Sequence, residues 1–331
     1  MTQKTSWTTE DWHTAGEPFR IVTDVPTVGD TVAARRMNAI GADTDAVRRF
    51  LCLEPRGHDD MYGGFLTEPD DDGADFGVLF WHKDGFSTAC GHGTIALGAW
   101  AVASGRMPAP DDGEAVVTID VPSGRVQARV QREGGRTTGV VFRNVESRVL
   151  QRGIAVVTSR GEVTVDLVFG GAVYATLPAA ALGLAVMPEH TAELIRLGRE
   201  IKWALNEHPA AQLPDPRLSG VYGTILFDDL GRTAQGPHQR NVTVFADGEV
   251  DRSPCGSGTA ARVALLDHTG ELGEGEVLTH DSIIGTTFRA RVVERTAAGV
   301  IPEVAGHAFR VGASTFELDP DDPLAAGFSL R

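Results

Sequence analysis

The sequence predicts an α+β protein made of two similar α/β halves, and three observations carry that reading. Short β-branched and apolar runs recur between clusters of Gly, Pro and Asp, as strands recur between turns. Helical stretches are fewer and do not alternate regularly with the strands, which argues against a doubly wound parallel sheet. The chain also matches itself when shifted by 165 residues, the step from Cys90 to Cys255. That shift lays Cys90-Gly91-His92-Gly93-Thr94 on Cys255-Gly256-Ser257-Gly258-Thr259, with four of the five positions identical.

Taken in order, Phe19-Arg20-Ile21-Val22-Thr23 is the first strand signal and Thr44 to Leu51 the first helix. Val78-Leu79-Phe80-Trp81 is a continuous apolar run of strand length, followed by a helix over Thr94 to Ser104. Ala115-Val116-Val117-Thr118-Ile119 and Gly139-Val140-Val141-Phe142 are further β-branched strands. Helices are then expected over His190 to Leu205 and Thr259 to Thr269. The helices after the two cysteines correspond: Ala96 falls on Ala261, Ala99 on Ala264 and Gly105 on Gly270. Thr94 and Thr259 suit positions near an N-cap, and Gly105 and Gly270 suit C′. Between the repeats, the polar stretch from Gln131 to Thr138 contains Gly134-Gly135 and lacks apolar periodicity, which marks a boundary.

A length of 331 residues suits two domains. The chain is 42% hydrophobic and 23% charged, as soluble globular proteins are. It has no apolar run near the roughly 18 residues that would span a bilayer, so no membrane association is expected. The start of the chain is polar and lacks the order of a secretory signal, so a cytoplasmic location is expected. With 45 acidic against 30 basic residues the net charge is −15, which opposes nucleic-acid binding and suits a small-molecule substrate. A homodimer is left open.

The three cysteines, Cys52, Cys90 and Cys255, show no C-x-x-C spacing, so neither a disulfide framework nor a metal site is expected. Cys52, inside Phe50-Leu51-Cys52-Leu53, reads as core. Cys90 and Cys255 differ because each precedes a Gly-x-Gly-Thr turn that opens a helix. A helix N-terminus stabilises thiolate and is expected to lower the thiol pKa from its reference of about 8.5. The glycines let backbone N–H groups approach an anion, so the same turns can hold a carboxylate and the enolate-like charge formed when its α-carbon loses a proton. Two such turns facing each other place a thiolate and a thiol on opposite faces of a planar carbanion. That arrangement inverts a stereocentre with no cofactor.

The residues resemble the proline racemase family, which includes proline racemases, 4-hydroxyproline 2-epimerases and trans-3-hydroxy-L-proline dehydratases. The resemblance rests on an ordered set: His13-Thr14-Ala15-Gly16-Glu17-Pro18-Phe19-Arg20, then Leu53 to Gly63, then Cys90-Gly91-His92-Gly93-Thr94. Phe169-Gly170-Gly171 and Asp251-Arg252-Ser253-Pro254-Cys255-Gly256-Ser257-Gly258-Thr259 complete it. It implies a diaminopimelate-epimerase-like fold, with two pseudo-symmetric α/β domains, the site in the crevice between them, and the last strand returning to the first half. Residues 1–132 plus 318–331 then form the N-terminal half and 138–317 the C-terminal half. It further implies Cys90 and Cys255 as the acid–base pair, and the backbone of Gly91, His92, Gly256 and Ser257 around the substrate carboxylate. Asp251 would meet the ring nitrogen, and Tyr62 and Phe245 would wall the pocket. Two blander readings stand beside these, His92 as a helix-capping side chain and Asp251 with Arg252 as a turn ion pair. His13, Glu17, Arg56, His58 and Asp59 read as scaffold.

Retention of Cys255 favours inversion of 4-hydroxyproline or proline, because family dehydratases commonly carry Thr there. The background, including Met61-Tyr62-Gly63 and Val221-Tyr222-Gly223-Thr224-Ile225, is closer to the dehydratase branch, which makes trans-3-hydroxy-L-proline dehydration the alternative. The Tyr62 hydroxyl suits a hydroxylated ring. A second alternative is a non-catalytic ligand-binding protein on the same fold.

Overall fold

The first strand, Ser6–Thr14, buries Trp7 and Thr9, then Trp12 and Thr14. The buried face moves from odd to even positions because the register against the last strand shifts between Asp11 and Trp12, as an extra residue in one strand requires. This computed structural model describes residues 5–330, and its five α-helices are α1 (Val32–Ala39), α2 (Asp43–Cys52), α3 (Gly91–Ala103), α4 (Thr191–Leu205) and α5 (Gly256–Thr269).

The strands fall into two runs with one pairing pattern. The first run is Ala308–Glu317, Ser6–Thr14, Glu17–Val22, Gly63–Thr67, Phe76–His82, Gly113–Val121, Gly124–Glu133 and Arg136–Arg143. The second is Arg148–Thr158, Gly161–Phe169, Val173–Pro178, Val221–Thr233, Gly236–Phe245, Leu278–Ser282, Thr287–Arg295 and Val300–Gly306. In each run the successive ladders are antiparallel, antiparallel, parallel, antiparallel, parallel, antiparallel and antiparallel. The internal repeat seen around the cysteines therefore extends through the topology. Arg136–Arg143 pairs with Val300–Gly306 and joins the runs.

The strand Ala308–Glu317 lies on Ser6–Thr14, so it pairs with the first half, whereas the expected bounds put residues 308–317 in the second half. The Gly134-Gly135 stretch is a hairpin turn, with both glycines at positive φ, between strands that pair directly. Its polar composition reflects a solvent-facing turn, so it does not separate the halves. We place the division between Arg143 and Arg148, with Ala308–Glu317 in the first half.

Each half carries one central helix in the crossover between its second pair of parallel strands, α3 in the first and α5 in the second. From Gly91 to Val102 and from Gly256 to Leu266 every residue is buried, which is why neither helix shows an amphipathic stripe. α3 packs with Phe76, Val117, Val130 and Phe142 in the first core, and α5 with Val168, Tyr174 and Ile225 in a smaller cluster of the second. The amphipathic α4 covers another core with Leu194, Leu197 and Ile201. No helix among the described residues is long and apolar enough to cross a membrane.

Candidate functional site

The two central helices meet end to end. Gly91 opens α3 and Gly256 opens α5, and a Cβ on Gly91 would stand 2.5 Å from the Cα of Gly256. A Cβ on Gly256 would stand 2.6 Å from the Cα of Gly91. Only glycine at both positions permits this approach, and it brings both N-terminal turns, with their free N–H groups and partial positive charges, to one cavity.

That cavity is lined by Cys90, Gly91, His92, Tyr62, Phe245, Asp251, Cys255, Gly256 and Ser257, which are all nine residues selected from the sequence. Ala89, Tyr174 and Tyr222 complete it. Its walls close on about 10 Å³, about what one water occupies, so a ring-sized ligand requires them to move apart.

The N-caps are the cysteines, where threonines were expected nearby. Cys90 is extended at φ −155°, and its sulfur accepts the Gly93 N–H at 3.2 Å. Cys255 sits at φ +62° and makes no side-chain cap bond; its N–H is held by Ser253 Oγ at 3.1 Å. Thr94 Oγ1 donates to the Cys90 carbonyl and Thr259 Oγ1 to the Pro254 carbonyl, so the threonines brace the two turns from within. Cys52 is buried in the first half, donating to the Met61 carbonyl, and takes no part in the cavity.

His92 does not cap its helix with its side chain. Its ring lies 3.4 Å by Nδ1 and 3.6 Å by Nε2 from Cys90 Sγ, and Nδ1 is 3.9 Å from Asp251 Oδ2. Burial depresses His92 to about 3, so the imidazole is neutral. Asp251 is not the partner of Arg252 in a turn ion pair. Arg252 instead reaches Asp60 of the first half at 2.8 Å, and Asp251 Oδ1 accepts the N–H and hydroxyl of Ser253 at 2.8 and 2.7 Å. Burial raises Asp251 to about 6 against those two bonds.

Helix N-termini were expected to lower the thiol pKa values, and here the opposite effect wins. Burial pushes Cys90 well up, with the Gly93 N–H opposing it and Asp251 and Cys255 adding to it. Burial likewise pushes Cys255 up, followed by the Asp251 charge. In this closed arrangement both sulfurs are favoured as thiols, because desolvating a thiolate costs more than the local N–H dipoles return.

Besides Ala89, two lining residues escaped the sequence reading as site residues. Tyr174 donates or accepts at Ser257 Oγ, 2.6 Å away, and lies 3.9 Å from Cys255 Sγ. Tyr222 shares a 3.1 Å hydrogen bond with Tyr62, whose hydroxyl also bonds Ser87. A signal existed: the chain has three tyrosines, and all three line this cavity. Of the residues read as scaffold, Glu17 accepts the Arg252 N–H at 2.7 Å and Arg56 binds the carbonyls of Phe50 and Ala325, so both tie segments together. Outside the cavity, His82, Asp84 and Glu249 bring metal-ligand atoms within 4.8 Å of one another. His82 Nδ1 lies 3.0 Å from Glu249 Oε1 and Asp84 takes the Lys83 ammonium at 3.2 Å, while Glu249 Oε2 is buried without a hydrogen-bond partner among the described residues.

Comparison with known proteins gives this geometry a family context. A family profile described as proline racemase matches residues 10–329. The chain is 44% identical to a trans-3-hydroxy-L-proline dehydratase of Burkholderia cenocepacia, over 98% of both chains. It is also 44% identical to a 3-hydroxyproline 2-epimerase of Burkholderia multivorans, again over 98% of both. Among solved structures, a hydroxyproline epimerase from Agrobacterium vitis with bound trans-4-OH-L-proline superposes with a TM-score of 0.91 at 29% identity, covering 100% of this chain and 96% of that one.

Proposed function

Because this chain belongs to the proline racemase family, a family of enzymes on the diaminopimelate-epimerase-like α+β fold, we propose that it epimerises 3-hydroxyproline at C2 with Cys90 and Cys255 as the acid–base pair. The observation that carries this reading is the abutment of two cysteine-capped helix N-termini in one closed cavity.

In the proposed step one sulfur, as thiolate, takes the C2 proton and becomes a thiol. The electron pair left behind is delocalised into the substrate carboxylate, which the N–H groups of Gly91, His92, Gly256 and Ser257 can face. The opposite thiol gives its proton to the other side of C2 and becomes the thiolate. The product is the C2 epimer, with the charge moved from one sulfur to the other, and proton exchange with solvent resets the pair. In this reading Asp251 receives the ring ammonium. The hydroxyls of Tyr62 and Tyr222 offer partners for a hydroxyl on the ring, which favours a hydroxylated substrate over proline. From the residues alone 4-hydroxyproline was the leading hydroxylated substrate; the 3-hydroxy position is preferred because the relatives named for it are 44% identical, against 29% for the 4-hydroxyproline-bound structure.

Dehydration is the second reading, favoured by the 44% identity to the named dehydratase. There the same α-proton is removed, the 3-hydroxyl departs as water with a proton from a thiol, and the resulting enamine tautomerises to a pyrroline-2-carboxylate.

One experiment separates these. The protein is incubated in D2O with each isomer of 3-hydroxyproline, 4-hydroxyproline and proline, and followed by proton NMR and by trapping of pyrroline. The expected result is deuterium at C2 with formation of the 3-hydroxyproline epimer. Pyrroline from trans-3-hydroxy-L-proline without epimer would establish the dehydratase, and no deuterium in any compound would overturn both readings.

A further inference from the structure

Beside the catalytic cavity lies a larger cleft of about 330 Å³, which shares Tyr222 with it and includes Ser87, the hydrogen-bond partner of Tyr62. The hydrogen-bonded tyrosines Tyr62 and Tyr222 therefore separate a closed chamber from an open one.

Two cations in this cleft make no ion pair with an acid among the described residues. Lys202, on α4, is 6% exposed, and among the described residues its ammonium makes no hydrogen bond or ion pair, resting only 3.6 Å above the Trp203 ring. Arg36, on α1, spends its hydrogen bonds on the carbonyls of Phe86 and Arg217 and on Met37 Sδ. The acids of the cleft are matched elsewhere: Asp84 to Lys83, Asp247 to Arg199 and Trp203, Glu207 to Asn206. The third cation, Arg217, is paired with Asp215. Burial pushes Lys202 down, and the charges of Asp247 and Asp84 act the other way without pairing with it; a carboxylate bound in the cleft would give the ammonium a direct partner. The polar side chains of Asn206, Gln212 and Ser219 line the same space.

We propose that this cleft is a docking site for a small carboxylate anion held by Lys202 and Arg36, where the substrate is received before the Tyr62–Tyr222 wall opens. The carboxylate site stands on the cleft alone; its use by substrate rests on the amino-acid reading above. The cleft is more than large enough for a ring amino acid while the catalytic cavity is not, so a substrate meets these cations outside the wall.

Trp203 supplies the reporter, since it is 51% exposed and touches the Lys202 ammonium. Sodium acetate is titrated into the full chain at constant ionic strength, balanced with chloride, while tryptophan fluorescence is followed. A saturable change is expected in the wild type, lost in Lys202→Met and in Trp203→Phe, and kept in Lys202→Arg. No saturable change in the wild type, or one unaltered in a folded Lys202→Met protein, overturns the site. With substrate, Lys202→Met should lower kcat/KM by about tenfold, the lower end of electrostatic capture effects, while kcat falls much less. Equal loss in both overturns the receiving role. A wild type without turnover would refute the catalytic reading, and the acetate titration would still decide the cleft.

Discussion

The two cysteine turns carry nearly the same five residues, yet they hold their sulfurs by different means. In the first half Cys90 is an ordinary extended N-cap whose sulfur takes a hydrogen bond from the Gly93 N–H of its own helix, beside the His92 imidazole. In the second half Cys255 has φ +62° and no full side-chain cap bond, although the Gly258 N–H faces its sulfur, and a tyrosine hydroxyl, that of Tyr174, lies at 3.9 Å. Its position is set from the N-terminal side, by Ser253 on its N–H and by Asp251 on Ser253. The segment that carries it is gripped by the first half: Glu17 takes the Arg252 N–H, Asp60 takes the Val250 N–H and the Arg252 guanidinium, and Asp84 takes the Asp247 N–H. One thiol is thus held by a full cap bond from its helix and the other chiefly by a strap between halves. A repeated motif can conserve chemistry while its mechanical support diverges.

The largest effect that could break this comparison is removal of one sulfur at a time. Cys90→Ser and Cys255→Ser should each lower epimerisation by about 10²–10⁴-fold, the usual worth of a positioned acid or base. Each variant retains one working thiol on one face of C2. Each should therefore exchange the C2 proton of one isomer with D2O without inverting it, and the two variants should do so on opposite isomers. If both variants exchange the same isomer, the sulfurs do not flank C2.

Next in size is the pH dependence. Both thiols are raised by burial, and an acid whose pKa is raised supplies less base at a given pH. The rate kcat/KM should therefore rise about tenfold per pH unit through neutrality, reach its maximum above the ordinary thiol range near 8.5, and fall again where the second thiol, needed as the acid, also ionises. A plateau already reached near pH 6 would mean that the two helix N-termini outweigh desolvation.

The glycine contact should respond alike in both halves. Gly91→Ala and Gly256→Ala each drive a Cβ into the opposing backbone, at 2.5 and 2.6 Å, and neither side is a flexible side chain that can yield. Each should cost about 1–3 kcal/mol, as overpacking does, measured by denaturant unfolding, together with a loss of turnover from displaced N–H groups. A substitution tolerated at one glycine and not at the other would show that the helix ends do not bear on each other equally.

The sequence made the two-half α+β plan and the pair of thiols legible because both are encoded locally, by β-branched runs and by a motif that recurs with its helix. The expected helices after the cysteines began at Thr94 and Thr259, but α3 and α5 begin at Gly91 and Gly256. Glycines that look like a turn are there because another helix end touches them, which is a tertiary cause. α1 was not expected: it has eight residues and buries only Val32 and Ala39, so its periodic signal is weak. Tyr174 and Tyr222 were invisible as site residues because strand pairing across the second half, rather than sequence neighbourhood, brings them to the cavity. The direction of the thiol shifts was misjudged for a related reason. A helix N-terminus can be read from sequence, whereas complete burial of that terminus depends on the other half.

The smallest expected effect tests the backbone difference itself. At Cys255 the positive φ is a conformation that residues with a Cβ adopt at a cost of order 1–3 kcal/mol, and glycine adopts it freely. At Cys90 the extended backbone carries no such cost, and glycine there only adds freedom to the unfolded chain. Cys255→Gly should therefore be more stable than Cys255→Ala by about 1 kcal/mol, while Cys90→Gly should be less stable than Cys90→Ala by roughly 0.5–1 kcal/mol. Comparing each Gly variant with the Ala variant at the same site cancels the lost sulfur, which both lack. Denaturant midpoints for the four proteins give the two differences directly. If the order of Gly and Ala is the same at both positions, the asymmetry of the two turns is not a property of the folded chain. The strap from Asp247 to Arg252 would then have no strained backbone to hold in place.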